Sequence, residues 1–129
     1  MLVLLVVGLL RSCLRRGYEV IGIDCFTNYY SFKLKKYNMK NFVNIPQFRL
    51  FKIDLSEVSI DELVRLISKV DHVIHEAAQP GVRRSWGDNF RDYVRHNILA
   101  TQHLLEACVR VSTVKRFVYA SSSSVYGTR

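Results

Sequence analysis

Apolar and polar positions alternate along this chain with two different periods. YEVIGID (Tyr18–Asp24) is β-branched and apolar and ends in an acid. FRLFKIDL (Phe48–Leu55) repeats that form, with Asp54 near its end. Both read as strands. DHVIHEAA, from Asp71, is a short strand running into small residues, and VKRFVYASSSS, from Val114, is a strand opening into a serine loop. Helical spacing lies between them. In SIDELVRLISK, Ile60, Leu63, Leu66 and Ile67 recur at helical intervals, and Ser59 with Glu62 has the spacing of a capping box. DNFRDYVRHNILATQHLLEACVRV predicts one long amphipathic helix over 88–110, with Phe90, Val94, Ile98, Thr101, Leu105 and Cys108 along its apolar side. Strands alternating with helices predict βαβ units, hence an α/β fold around a parallel sheet.

Ligands of such sheets sit beyond the carboxyl ends of the strands. Asp24, Asp54, Ala77–Pro80 and Ser121–Ser124 occupy those positions. A carboxylate at Asp24 can accept two hydrogen bonds from an adenosine ribose and repels a 2′-phosphate, which favours NAD over NADP. The same residue also suits an ordinary turn. Asp54 suits either an adenine amino group or the cap of the next turn. HEAAQPGV places small residues where backbone must approach a ligand, and its Pro80–Gly81 pair equally marks a turn. Asn97 lies on or beside the buried side of the long helix. A buried amide needs partners, so it either fastens the helix to strand backbone or helps shape a site. The serines are not a nucleophile elbow, because no G-x-S-x-G is present. They remain turn formers or hydrogen-bonding groups facing a substrate.

The chain has 129 residues, which bounds it to one domain, and 49% hydrophobic content fits a folded globular chain. Nineteen basic residues against eleven acids, a formal +8, favour anionic partners. Cys13, Cys25 and Cys108 are far apart and form no C-x-x-C, which suggests reduced thiols in a cytoplasmic protein. The opening MLVLLVVGLL is too short to span a bilayer, and Arg11, Arg15 and Arg16 follow it instead of preceding it, unlike a signal peptide. No membrane partner is expected.

Two other chemistries compete. His72 and His75 form H-x-x-H, but residues three apart in a strand face opposite ways. His96 and His103 share a helical face, yet two ligands make a poor site, so no metal is expected. From Cys25 to Lys52 there are six basic residues and no acids, with Tyr29, Tyr30, Phe32, Tyr37 and Phe42 interleaved. Nucleic-acid binding uses that mixture. A solvated helix and loop with apolar anchors uses it too. Without an accompanying motif, nucleic acid is the minor reading.

Taken together, YEVIGID, FKIDLSE, VIHEAAQPGVRRSW, YVRHNILATQHLLEA and KRFVYASSSSVYG resemble the NAD-dependent epimerase/dehydratase family, the extended short-chain dehydrogenases. The likeness runs from about Arg15 to Gly127 and is nearest to UDP-glucuronate and UDP-glucose 4-epimerases. It implies a Rossmann-like, doubly wound parallel sheet with NAD as cofactor. Asp24 would hold the adenosine ribose with Asn28 nearby. Asp54 and Leu55 would contact adenine. Ala77, Ala78 and Gln79 would lie along the cofactor, and Asn97 would order the helix beside its nicotinamide half. Ser122 would be the catalytic serine, bonding the sugar hydroxyl that is oxidised, with Ser123 and the anion-binding Arg83 and Arg84 on the substrate. In the 4-epimerases NAD takes a hydride from sugar C4 and returns it to the other face. The resemblance also implies a UDP-sugar partner and a homodimer through helix 88–110. A nucleotide-sugar 4,6-dehydratase is the same-family alternative.

The chain departs from the family pattern at both ends. The family opens with a strand and a G-x-x-G-x-x-G loop whose backbone approaches the pyrophosphate. Here Gly8 is followed by Leu9 and Leu10. A strand at Leu2–Val7 would leave only Gly8–Gly17 as crossover, short of the usual dozen or more residues. A helix from about Leu4 to Arg16 fits better. After Ser122 there is no Y-x-x-x-K, the family's acid/base pair, since no lysine follows Tyr126. The expectation is an incomplete NAD-binding domain over 1–129, inactive alone, with no second domain, and marginally stable because sheet edges are left exposed.

Overall fold

The computed structural model describes residues 4–29 and 31–127. Helix α1 (Leu4–Arg15) leads into strand β1 (Val20–Asp24), helix α2 (Phe32–Met39) and strand β2 (Phe48–Lys52). Helix α3 (Ile60–Ile67), strand β3 (His72–His75), helix α4 (Phe90–Tyr93), a π-helical turn (Val94–Leu99), helix α5 (Ala100–Arg110) and strand β4 (Arg116–Tyr119) follow. A 3₁₀ turn, Ser123–Tyr126, ends the described chain. All four predicted strands form, and the opening apolar run is helical from Leu4, as the short crossover to β1 implied. Among the described residues no helix is long and apolar enough to cross a membrane.

The strands pair in parallel. β1 lies on β2 in register from Val20↔Phe48 to Asp24↔Lys52, and β3 lies on β4 from His72↔Arg116 to His75↔Tyr119. Bonds just beyond the ladders extend each pair: Ile53 N–H donates to Asp24 O at 3.1 Å, and Ala120 N–H to His75 O at 3.0 Å. The two pairs are separate two-stranded sheets. Gly22 sits where β1 runs under an aromatic ring; a β-carbon there would stand 3.0 Å from the Phe48 ring.

A two-stranded sheet is marginal without a helix against it, and each pair has its own apolar cluster. Leu10 of α1, Met39 of α2, Phe42 and Phe48 are buried together beside β1 and β2. Leu63 and Ile67 of α3, Ala100, Leu104 and Ala107 of α5, and Leu55 form the other cluster. Helix α3 begins as its sequence predicts: the Ser59 hydroxyl accepts from Glu62 N–H at 3.2 Å, and Asp61 and Glu62 complement the helix dipole.

The long helix corrects one expectation. Its buried face is Ala100, Leu104 and Ala107, while Phe90, Val94, Ile98 and Leu105, predicted to line the apolar side, are exposed. The physical reason is twofold. Small alanines let the helix approach its neighbours closely. The π turn at Val94–Leu99 closes i→i+5 bonds, so it takes an extra residue and shifts the phase of the pattern across it.

Candidate functional site

The carboxyl ends of β1, β2 and β3 converge on one cavity. Of the residues singled out from sequence, Asp24, Asp54, Leu55, Ala77, Ala78 and Gln79 line it, and Cys25 and His96 join them. Its volume is about 20 Å³.

Asp24 is 1% exposed. Its Oδ1 accepts from Phe26 N–H at 2.6 Å, and Phe26 takes a left-handed φ of 54°. A bulky residue rarely adopts that angle, so the aspartate holds a strained turn at the strand end. The turn aspartate read from sequence is therefore present, on this oxygen. Buried Lys35 of α2 braces the same loop: its Nζ donates to Thr27 O at 2.8 Å and lies 5.7 Å from the Phe26 ring centre.

Asp54 is the hub of a polar network. Oδ1 accepts from Ser56 N–H at 2.9 Å and from the Ser56 hydroxyl at 2.6 Å. Oδ2 accepts from Arg95 Nη2 at 2.9 Å, and Arg95 also donates to Ser56 Oγ at 2.9 Å and pairs with Glu57. Partial burial opposes ionisation of Asp54. The Ser56 hydrogen bonds and the nearby Arg95 and His96 outweigh it and hold the carboxyl below its ordinary value.

Asn97 fastens the helix to the β3 loop. Its Oδ1 accepts from Gln79 N–H at 2.6 Å and its Nδ2 donates to Gln79 O at 3.1 Å, so the amide satisfies both backbone groups of one residue. Of the two roles read from sequence, fastening is the one the bonds describe. Thr101 Oγ1 donates to Asn97 O at 2.8 Å and lies 2.8 Å from His75 Nε2. The threonine's single proton is thus spent on Asn97, so His75 Nε2 must carry the proton of the other bond. Burial pushes the His75 pKa down, which favours this neutral tautomer. His75, Thr101, Asn97 and Gln79 form one chain of bonds from β3 to the cavity rim.

Other sequence-picked residues lie apart from the cavity lining. Asn28 is exposed in the turn after β1. Arg83 is exposed in the 3₁₀ turn Val82–Arg84, which the chain enters through Gly81 at φ 105°. Ser122 is exposed and caps the last 3₁₀ turn, accepting from Ser124 N–H at 3.2 Å. The Ser123 side chain lies outside the described residues. His72 is exposed against Asp71 and His75 is buried, so H-x-x-H is no ligand pair. His103 is tied to Leu55 O at 2.9 Å. In the basic stretch Lys35, Met39 and Phe42 are interior, which makes part of it core. Sequence reasoning missed Arg95, Cys25 and the role of His96. Their only signal was adjacency: Cys25 follows Asp24, and Arg95 and His96 precede Asn97.

Whether these residues suit a dinucleotide divides by its parts. A buried carboxylate at the end of β1, a partly buried one just beyond β2 and small residues after β3 fit an adenosine. Among the described residues the diphosphate half finds no glycine cradle: Gly8 lies inside α1, and a β-carbon there would meet nothing within 4 Å.

Residues 8–129 match the model of the NAD dependent epimerase/dehydratase family. The chain belongs to that family. Among its relatives, this family member is 46% identical over 114 residues to an uncharacterised UDP-glucose epimerase, YtcB, of Bacillus subtilis, covering 88% of this chain and 35% of that one. It is 40% identical over 116 residues to UDP-glucuronate 4-epimerase 4 of Arabidopsis thaliana, covering 88% of this chain and 25% of that one. The UDP-glucuronic acid 4-epimerase of Bacillus cereus, solved with UDP-glucuronic acid and NAD, superposes with a TM-score of 0.86 at 37% identity. That match covers 95% of this chain and 38% of the Bacillus cereus chain. The α/β fold with parallel strands is thus the family's Rossmann-like fold, and the chain spans about a third of the length of such relatives.

Proposed function

We propose that this chain is an NAD-binding domain of UDP-sugar 4-epimerase type, holding the adenosine end of NAD at the ends of β1, β2 and β3. The observation that carries the reading is the meeting of Asp24, Asp54 and the small Ala77–Ala78 pair around one cavity. Asp24 would accept from the ribose hydroxyls and exclude a 2′-phosphate. Asp54 and Leu55 would face adenine, with Asn28 beside the ribose. Ala77, Ala78 and Gln79 would lie along the cofactor, Gln79 fixed by Asn97. When bound, NAD supplies a hydride acceptor for oxidation at a sugar carbon.

Ser122 would bond the reacting sugar hydroxyl, with Ser123 and Arg83 as further substrate contacts. UDP-glucuronate or UDP-glucose is the substrate class, the cytoplasm the compartment, and a pair of 88–110 helices the dimer contact. Calorimetric titration of NAD into the purified chain tests the reading. Saturable binding that weakens at least tenfold in Asp24→Asn, with far-ultraviolet dichroism retained, supports it. No binding at millimolar NAD sinks it.

A further inference from the structure

We infer that Cys25, Asp54 and His96 together bind a borderline-soft divalent cation of the Zn²⁺ or Co²⁺ type. The three arrive from separate elements: Cys25 follows β1, Asp54 follows β2, and His96 lies in the π turn. One ligand atom of each lies within 4.8 Å of the other two. All three line the strand-end cavity, whose volume of about 20 Å³ admits a water-sized species.

The donor set selects the metal class. Sulfur, imidazole nitrogen and carboxylate oxygen are ligands of Zn²⁺ and Co²⁺, whereas Mg²⁺ and Ca²⁺ prefer oxygen throughout. Three protein donors leave a fourth position for water. Tetrahedral bonds of about 2.0–2.3 Å set donors about 3.3–3.8 Å apart, so side-chain shifts of about 1 Å close the site. Asp54 is already oriented from behind by Ser56 and Arg95, as outer-shell partners orient metal ligands. A carboxylate offers about four lone-pair sites, so those bonds leave room for a metal. The Arg95 charge opposes the cation and keeps the affinity moderate. The site shares Asp54 and the strand-end cavity with the proposed adenosine contacts, so cation and nucleotide exclude one another there.

Titration of Co²⁺ into the full, chelator-treated chain tests it, read by the near-ultraviolet thiolate-to-cobalt charge-transfer band. The expected result is a band saturating at one equivalent, abolished in Cys25→Ser and at least tenfold weaker in affinity in His96→Gln. If Cys25→Ser fails to fold, the Cys13→Ser/Cys108→Ser double variant decides, since Cys25 is then the sole thiol. Retention of the band there supports the site, and its loss overturns it. A wild-type chain without a band at millimolar Co²⁺, or a band that survives Cys25→Ser, overturns it as well. NAD titration in chelator reads the nucleotide site separately, so either reading fails without the other.

Discussion

Among the described residues, the half of the molecule holding β3 and β4 packs on six buried residues, from α3, α5 and Leu55 beyond β2. Among the described residues, the half holding β1 and β2 packs on four, drawn from α1, α2, the loop after α2 and β2. Local signals differ in the same direction. Helix α3 has a bonded Ser59 cap and two acids in its first turn. Helix α2 has no acid in its first turn, and Ser31 makes no capping bond. Helix capping places more stability in the second half. The cavity lies where the halves meet, taking Asp24 and Asp54 from the first and Ala77, Gln79 and His96 from the second. A ligand that binds there binds the docked halves, and so stabilises their contact by mass action.

The largest expected effect is in the stronger half. Leu63 is fully buried, and Leu63→Ala should cost about 2–5 kcal/mol. The urea midpoint should fall accordingly. Leu10→Ala should instead release α1 locally, read by hydrogen exchange as lost protection in α1 and α2 with α3 and α5 retained. Equal loss in both halves would erase the distinction.

Removing Asn97 probes the joint. Asn97→Ala strands the N–H and C=O of Gln79 and should cost about 1–3 kcal/mol by urea denaturation. NAD affinity should fall in the same variant, since the β3 loop loses its fastening. Ser59→Ala should cost about 1 kcal/mol, seen as a small shift in the urea midpoint and as fraying confined to the start of α3.

The pH dependence is the smallest effect and has a definite sign. Burial depresses the folded-state pKa of His75 below its unfolded value. The unfolded chain therefore binds a proton first, and the stabilising contribution is complete above about pH 6.5. It falls as the pH drops toward the depressed folded value and is constant below it. Urea midpoints at about pH 7.5 and 5.5 should differ in the wild type and converge in His75→Gln.

The strands were legible because short runs rich in β-branched and aromatic residues between helical patterns have few other homes, and all four appear. Ser59 and Glu62 announced α3 for the same reason: the cap needs those two residues at that spacing. The face of the long helix was not legible, because a fixed helical period cannot register the π turn that shifts it. Asp24, Asp54 and Ala77 were readable as strand-end residues. Arg95 was not, because its partners Asp54 and Ser56 lie about forty residues away and only the fold unites them. Arg83 and Ser122 followed from family likeness alone, and no cavity contact accompanies them.

The central claim is that Asp24, the carboxylate that ends β1, reads an adenosine ribose. Its most direct test is the affinity of the purified chain for NAD against NADP in one buffer with chelator present. The account predicts that NAD binds at least tenfold tighter and that Asp24→Ser removes most of that preference. Equal binding of the two nucleotides, or a preference that survives Asp24→Ser, would contradict it.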